Sequence, residues 1–211
     1  MSADRSLEAD ERRLLLALAR ETLRRCTAEE PLPQPDPCKI PPRLAEPAAC
    51  FVTLTRAGEL RGCIGTLEAR WPLWRAVVEN TRAAALHDRR FAPVMPGEVE
   101  DLRIEISVLS PLRRLVYAAP AELLAQLEPG RDGVVLERAG RRATYLPQVW
   151  EKLPDRGTFL NQLARKANLP PDAWQHPDAQ VWVYTVERFE EPPGPAAAAD
   201  AVPLEPPPGA D

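Results

Sequence analysis

The run Leu60-Arg61-Gly62-Cys63-Ile64-Gly65-Thr66-Leu67-Glu68 places a thiol, a guanidinium and two glycines in one short stretch. Alternate side chains of an extended strand share a face, which sets Arg61 beside Cys63. A neighbouring guanidinium favours the thiolate, the nucleophilic form of cysteine. Glycine gives a strand nothing to pack, so Gly62 and Gly65 mark a bulge or the close approach of another backbone or a ligand. These residue types point to nucleophilic, redox or hydrogen-donor chemistry at Cys63, tuned by Arg61. The competing reading makes Cys63 a small buried hydrophobe.

Other polar residues stand where apolar ones are expected. A helix over 72–87 puts Leu73, Val77, Asn80, Ala84 and His87 on one face. A buried amide must be hydrogen-bonded, so Asn80 either ties a neighbouring backbone group or lines a pocket around Cys63. His87 either ends the helix, where a cation is favoured, or faces the same pocket. Asp88 can turn the chain, and Arg90 can hold a carboxylate or phosphate or remain solvated. Glu105 is flanked by isoleucines in a strand. It is read as half of an ion pair with Arg61 or Arg103, or as an acid or base if its face opens into a cleft. Gln148, between Pro147 and Val149, either fixes a ligand or ties two lobes together, whereas Trp150 is read as core.

The elements that must position these groups follow from periodicity. Ser6 is expected to cap a helix that ends near Cys26, with Glu8, Asp10 and Glu11 in its first turn. A proline-rich connector spans 31–47. Strands are expected at 49–55 and 60–66 around a turn at 56–59, so Cys63 lies within a hairpin arm. Alternation over 102–109 is the clearest strand signal. A short helix at 120–127, a hairpin around Arg138-Ala139-Gly140-Arg141, a helix at 159–168 and one closing strand at 181–186 complete the order. The fold class is α+β, with mainly antiparallel sheets and packed helices in two lobes with a groove between them. Residues 191–211 are Pro/Ala-rich and are assigned to a disordered tail outside a 1–190 domain.

The 211 residues carry a net charge of −4, which does not match nucleic acid as a partner. Cys26, Cys38, Cys50 and Cys63 form no C-x-x-C pair, and the two histidines are far apart, so no metal or cofactor is expected. No apolar run is long enough to span a bilayer, and Leu14–Ala19 is too short and charge-flanked for a signal core. Reduced thiols and a cytoplasmic location are expected.

The motifs LRGCIGTLE, HDRRF, IEISVLSP, PGRDGVVLE and YLPQVWEKLP, in that order, resemble the AMMECR-domain family, known in bacteria as protein A of the AmmeMemoRadiSam system. Asp88, Arg90 and Phe91 fit that family's x-Asp-x-Arg-Phe pattern. Ala143 stands where the family pattern has glycine, which weakens any tight ligand contact at that point. The resemblance implies an α+β fold and partnership with a Memo-like protein and a radical SAM protein. It therefore implies a Cys63-centred site for redox, radical or covalent chemistry, or else a non-catalytic adaptor that presents a substrate through the same groove. The substrate, small molecule or peptide, is not specified by either reading.

Overall fold

The computed structural model describes residues 6–192. Helix α1 spans Ala9–Thr27 and buries Leu15, Leu18, Ala19, Leu23 and Cys26 along one stripe. Its N-cap is Glu8, whose backbone N–H donates to the Glu11 carboxylate at 2.8 Å, rather than Ser6. The cap moves inward because Leu7 is buried, and its N–H is taken by the Glu187 carboxylate at 2.9 Å. The proline-rich connector carries a 3-10 turn at Pro37–Lys39 and one α-helical turn, α2, at Pro42–Ala45.

Strands β1 (Ala49–Arg56) and β2 (Glu59–Gly65) form the expected hairpin. Ala57 and Gly58, with φ of 50° and 83°, supply the tight turn that suits twisted strands. Helix α3 follows at Leu73–Leu86, then β3 at Leu102–Leu109 and the two-residue β4 at Arg113–Arg114. Helix α4 (Pro120–Gln126) leads to the hairpin β5 (Gly133–Arg138) and β6 (Arg141–Tyr145), and α5 spans Arg156–Lys166.

The closing segment is two strands rather than one. β7 (Gln180–Tyr184) and β8 (Val186–Glu190) are separated by Thr185 and belong to different sheets. Ser110 holds this crossing: its N–H donates to the Thr185 carbonyl, and its hydroxyl accepts from the Thr185 N–H, both at 2.9 Å. The first sheet has the order β2-β1-β3-β8 and the second β4-β7-β5-β6, and every pairing is antiparallel. The α+β class expected from the sequence is therefore the fold.

One apolar core lies between α1, α3 and the first sheet, built around Val52, Leu54, Ile104 and Ile106. A second lies between α4, α5 and the second sheet, where Trp150 stacks on Phe159 with ring centroids 3.6 Å apart. Two lobes parted by a groove were the expectation. A third cluster, Ala49 and Leu109 from the first sheet with Val135 and Tyr184 from the second, packs residues of both sheets together. The expected tail lies outside the described residues except for Glu191 and Pro192. Glu191 belongs to the fold: it accepts from Arg20 Nε and from the Ile104 N–H, both at 2.9 Å.

Candidate functional site

The hairpin contains one inserted residue that decides where Cys63 points. Leu54 pairs with Gly62 and Thr55 with Leu60, so Arg61 is the extra residue of a β-bulge. Beyond it Thr53 pairs with Cys63 and Val52 with Ile64. Without the bulge Cys63 would oppose Val52 and face the helices. A shift of one residue exchanges the faces of a strand, and here it turns the sulfur to the face away from α1 and α3. Cys63 is half-buried there, and the Thr53 hydroxyl lies 3.3 Å from its sulfur as a donor. Thr53 also pairs with Glu105 on β3, which makes Cys63, Thr53 and Glu105 a row across that face.

β2 is an edge strand, and the main chain of Cys63 is capped from outside. Its N–H donates to Asp88 Oδ2 at 2.9 Å, and its carbonyl accepts from Arg90 Nη2 at 3.3 Å. Asp88 and Arg90 pair with each other at 2.6 Å and 2.9 Å, closing a fork on the two main-chain groups of one residue. α3 ends at the exposed His87, whose N–H closes on the Ala83 carbonyl, and the next residue delivers the buried Asp88 to the strand edge. Arg90, with its side chain 57% exposed, lies over the Phe91 ring at 5.4 Å. The hydrogen bond from Arg90, aided by the N–H groups of Cys63 and Arg90, holds the Asp88 carboxyl far below the usual carboxylate range.

Several residues expected around the thiol stand elsewhere. Arg61 does not contact it. Its guanidinium makes a bidentate pair with Glu98 at 3.1 Å and donates to the carbonyls of Ala92 at 2.8 Å and Pro93 at 3.3 Å. As the bulged residue it ties β2 to the segment after α3. Asn80 faces Cys50, donating to its carbonyl at 3.0 Å and its sulfur at 3.3 Å, and so ties α3 to β1. His87 takes the helix-end position rather than a pocket wall.

Glu105 pairs with Arg188 of β8, not with Arg61 or Arg103. Gln148 is exposed in a short 3-10 turn, Pro147–Glu151, that follows β6 of the second sheet. Nor do the glycines leave room for a guest. A Cβ on Gly62 would lie 2.3 Å from the Ala84 carbonyl oxygen, and one on Gly65 would lie 2.4 Å from the Phe51 ring and from the Cys50 carbonyl. The molecule's own backbone and ring fill both spaces.

Burial pushes Cys50 up to about 12 and raises Cys26 as well, while Cys38 is exposed in the connector. Thr53 is the site residue that sequence reasoning missed. The bulge that pairs it with Cys63 has no composition signal beyond the neighbouring Gly62. A cavity of about 230 Å³ beside Arg138, Asp172 and His176 includes none of the expected site residues. Among the described residues no His/Cys/Asp/Glu group is arranged to hold a metal ion, and no helix is long and apolar enough to cross a membrane.

Fold and site together define an α+β protein with a half-buried thiol on the outer face of an antiparallel sheet, its main chain held by an Asp–Arg fork. The family model AMMECR1 matches residues 16–189, and the chain belongs to that family. Protein MK0488 of Methanopyrus kandleri is 41% identical over 168 residues, covering 75% of this chain and 79% of its own. A protein of Methanothermobacter thermautotrophicus is 36% identical over 187 residues, covering 88% and 96%. The crystal structure of protein PH0010 from Pyrococcus horikoshii superposes with a TM-score of 0.78 at 34% identity, covering 88% of this chain and 93% of that one.

Proposed function

We propose that this chain presents Cys63 as the working thiol of a pathway shared with a Memo-like protein and a radical SAM protein. One observation carries the reading: a bulge turns the sulfur to the outer face, and its residue is then held at N–H, carbonyl and sulfur by Asp88, Arg90 and Thr53. A half-buried thiol with its place fixed at three atoms is suited to attack a bound partner group. In that step the sulfur forms a bond to an electrophilic carbon of the substrate. The thiol proton passes to water, and the leaving group departs with its electron pair. The resemblance to protein A of the AmmeMemoRadiSam system is what supports the choice of partners. A cytoplasmic setting fits the reading, since thiols stay reduced there.

The test is alkylation of the folded chain by iodoacetamide, resolved by cysteine. Cys63 is expected to react before unfolding, while Cys50 and Cys26 react only after it. A Cys63 that resists until the chain unfolds contradicts the reading. A second reading, a docking face without catalysis, is favoured by the filled glycine spaces, which leave no recess at Gly62 or Gly65. It predicts that a Cys63→Ser chain keeps both its fold and its pathway function.

A further inference from the structure

We propose that Asp88 and Arg90 are positioning residues for Cys63: a counterbalanced charge pair, bound to the main chain of that one residue, fixes where the sulfur stands and sets how readily it ionises. The inference rests on the reading of Cys63 as the working thiol and adds the means by which that thiol is tuned.

An edge strand ordinarily leaves its outward N–H and C=O to water or to another strand. At Cys63 both groups are taken by a single ion pair, and the bonds converge on a buried carboxylate. Asp88 accepts from the Cys63 N–H at 2.9 Å, from Arg90 Nε at 2.9 Å and from Arg90 Nη2 at 2.6 Å. Arg90 is braced on the Phe91 ring, and its Nη2 also reaches the Cys63 carbonyl. The fork therefore cannot shift without carrying the backbone of Cys63 with it.

The charged neighbours of the thiol on its own strand and on β3 have partners of their own. Arg61 is bound to Glu98, and Glu105, one strand beyond Thr53, is bound to Arg188. Thr53 itself is neutral. Asp88 and Arg90 are thus the charges bonded directly to Cys63, and they act on a thiolate with opposite signs. The cation favours the thiolate and the carboxylate opposes it, so removing either one exposes the effect of the other. A charge on Cys63 in turn adds to the hold on the Arg90 proton, behind the larger effect of the Asp88 hydrogen bond.

The experiment measures iodoacetamide alkylation of Cys63 in the full chain as a function of pH, with exposed Cys38 as the internal reference. Asp88→Asn keeps an acceptor for the Cys63 N–H but removes the negative charge. Its alkylation midpoint is expected to fall, and the rate at neutral pH to rise several-fold. Arg90→Gln is expected to move the midpoint up, and Arg90→Lys to restore it toward native. A shift of one pH unit corresponds to up to about tenfold in thiolate fraction.

Midpoints that move in the same direction, or that do not move while the Cys38 reference is steady, overturn the tuning role. Should Arg90→Gln fail to fold, the fall in Asp88→Asn and the native-like midpoint of Arg90→Lys still decide the sign. For positioning, amide exchange at Cys63 is expected to accelerate at least tenfold in Asp88→Ala while the rest of the β1–β2 ladder keeps its protection. An unchanged rate at Cys63 overturns that half. None of these readouts uses pathway activity. A Cys63→Ser chain that supports the pathway would end the functional reading and leave the charge result intact.

Discussion

At the scale of single residues, Asp88 and Asn80 separate two uses of a buried polar group. Asp88 is ionised and multiply bonded, so its folded carboxyl titrates below an unfolded one near pH 4. The stability it contributes is fully present above that pH and is lost as pH falls toward the depressed folded value. In urea unfolding, the gap between the native chain and Asp88→Asn is expected to be widest at neutral pH and to shrink progressively below about pH 4. A gap unchanged between pH 7 and pH 2 would contradict this assignment. Asn80 does a different job, because its amide satisfies the carbonyl and sulfur of the buried Cys50. Asn80→Ala is expected to cost about 1–3 kcal/mol of stability. It should leave the native alkylation rate of Cys63 unchanged; a changed rate would return Asn80 to the site.

At the scale of elements, the hairpin shows what could and could not be read in advance. Strand β3 was legible because Leu102, Ile104 and Ile106 alternate with Arg103 and Glu105, and the fold buries the first set in one core. The helix at Leu73–Leu86 was legible from its apolar stripe, including the odd position of Asn80. A bulge was one of the two readings open at Gly62, but its place at Arg61 and its effect on register were not legible. Register depends on pairing with another strand, and an insertion of one residue leaves no trace in the alternation of β2 alone. That is why Arg61 was expected beside the thiol and Thr53 was overlooked. The break at Thr185 was hidden for a similar reason, since alternation runs on from β7 toward β8 while the chain changes sheets. Of the readings open at the two glycines of β2, a bulge or the close approach of a backbone or ligand, Gly62 adjoins the bulge and meets the α3 backbone, while Gly65 meets Phe51 and the Cys50 carbonyl. Gly62→Ala would push its Cβ against the Ala84 carbonyl, which is backbone and cannot rotate away. A loss of about 1–3 kcal/mol or more is expected from the thermal midpoint. Full stability in that variant would mean that α3 and β2 are not packed as described.

At the scale of the whole molecule, α1 and the residue after β8 close the first core. Arg20 of α1 reaches the carbonyls of Val99 and Leu102, each at 2.6 Å, and pairs with Glu191 just beyond β8. Both side chains of that pair are only 17% exposed, so removing one strands the other away from water. Glu191→Ala is therefore expected to lower stability by about 1–3 kcal/mol in a denaturant titration. No loss would place the end of the folded unit at 190, as composition alone suggested. The wider architecture follows from the two sheets sharing the cluster of Ala49, Leu109, Val135 and Tyr184. That cluster covers one end of the face that carries Cys63 and leaves Thr53 and Glu105 half-buried beyond it.

The central claim is that the sulfur of Cys63, rather than the surface around it, does the work. Replacing Cys63 by serine in the host tests this most directly, provided the variant's thermal midpoint stays close to native so that only the sulfur is lost. The account predicts a folded chain that fails to support the pathway. A folded Cys63→Ser chain that supports it fully would contradict the account and leave a docking module.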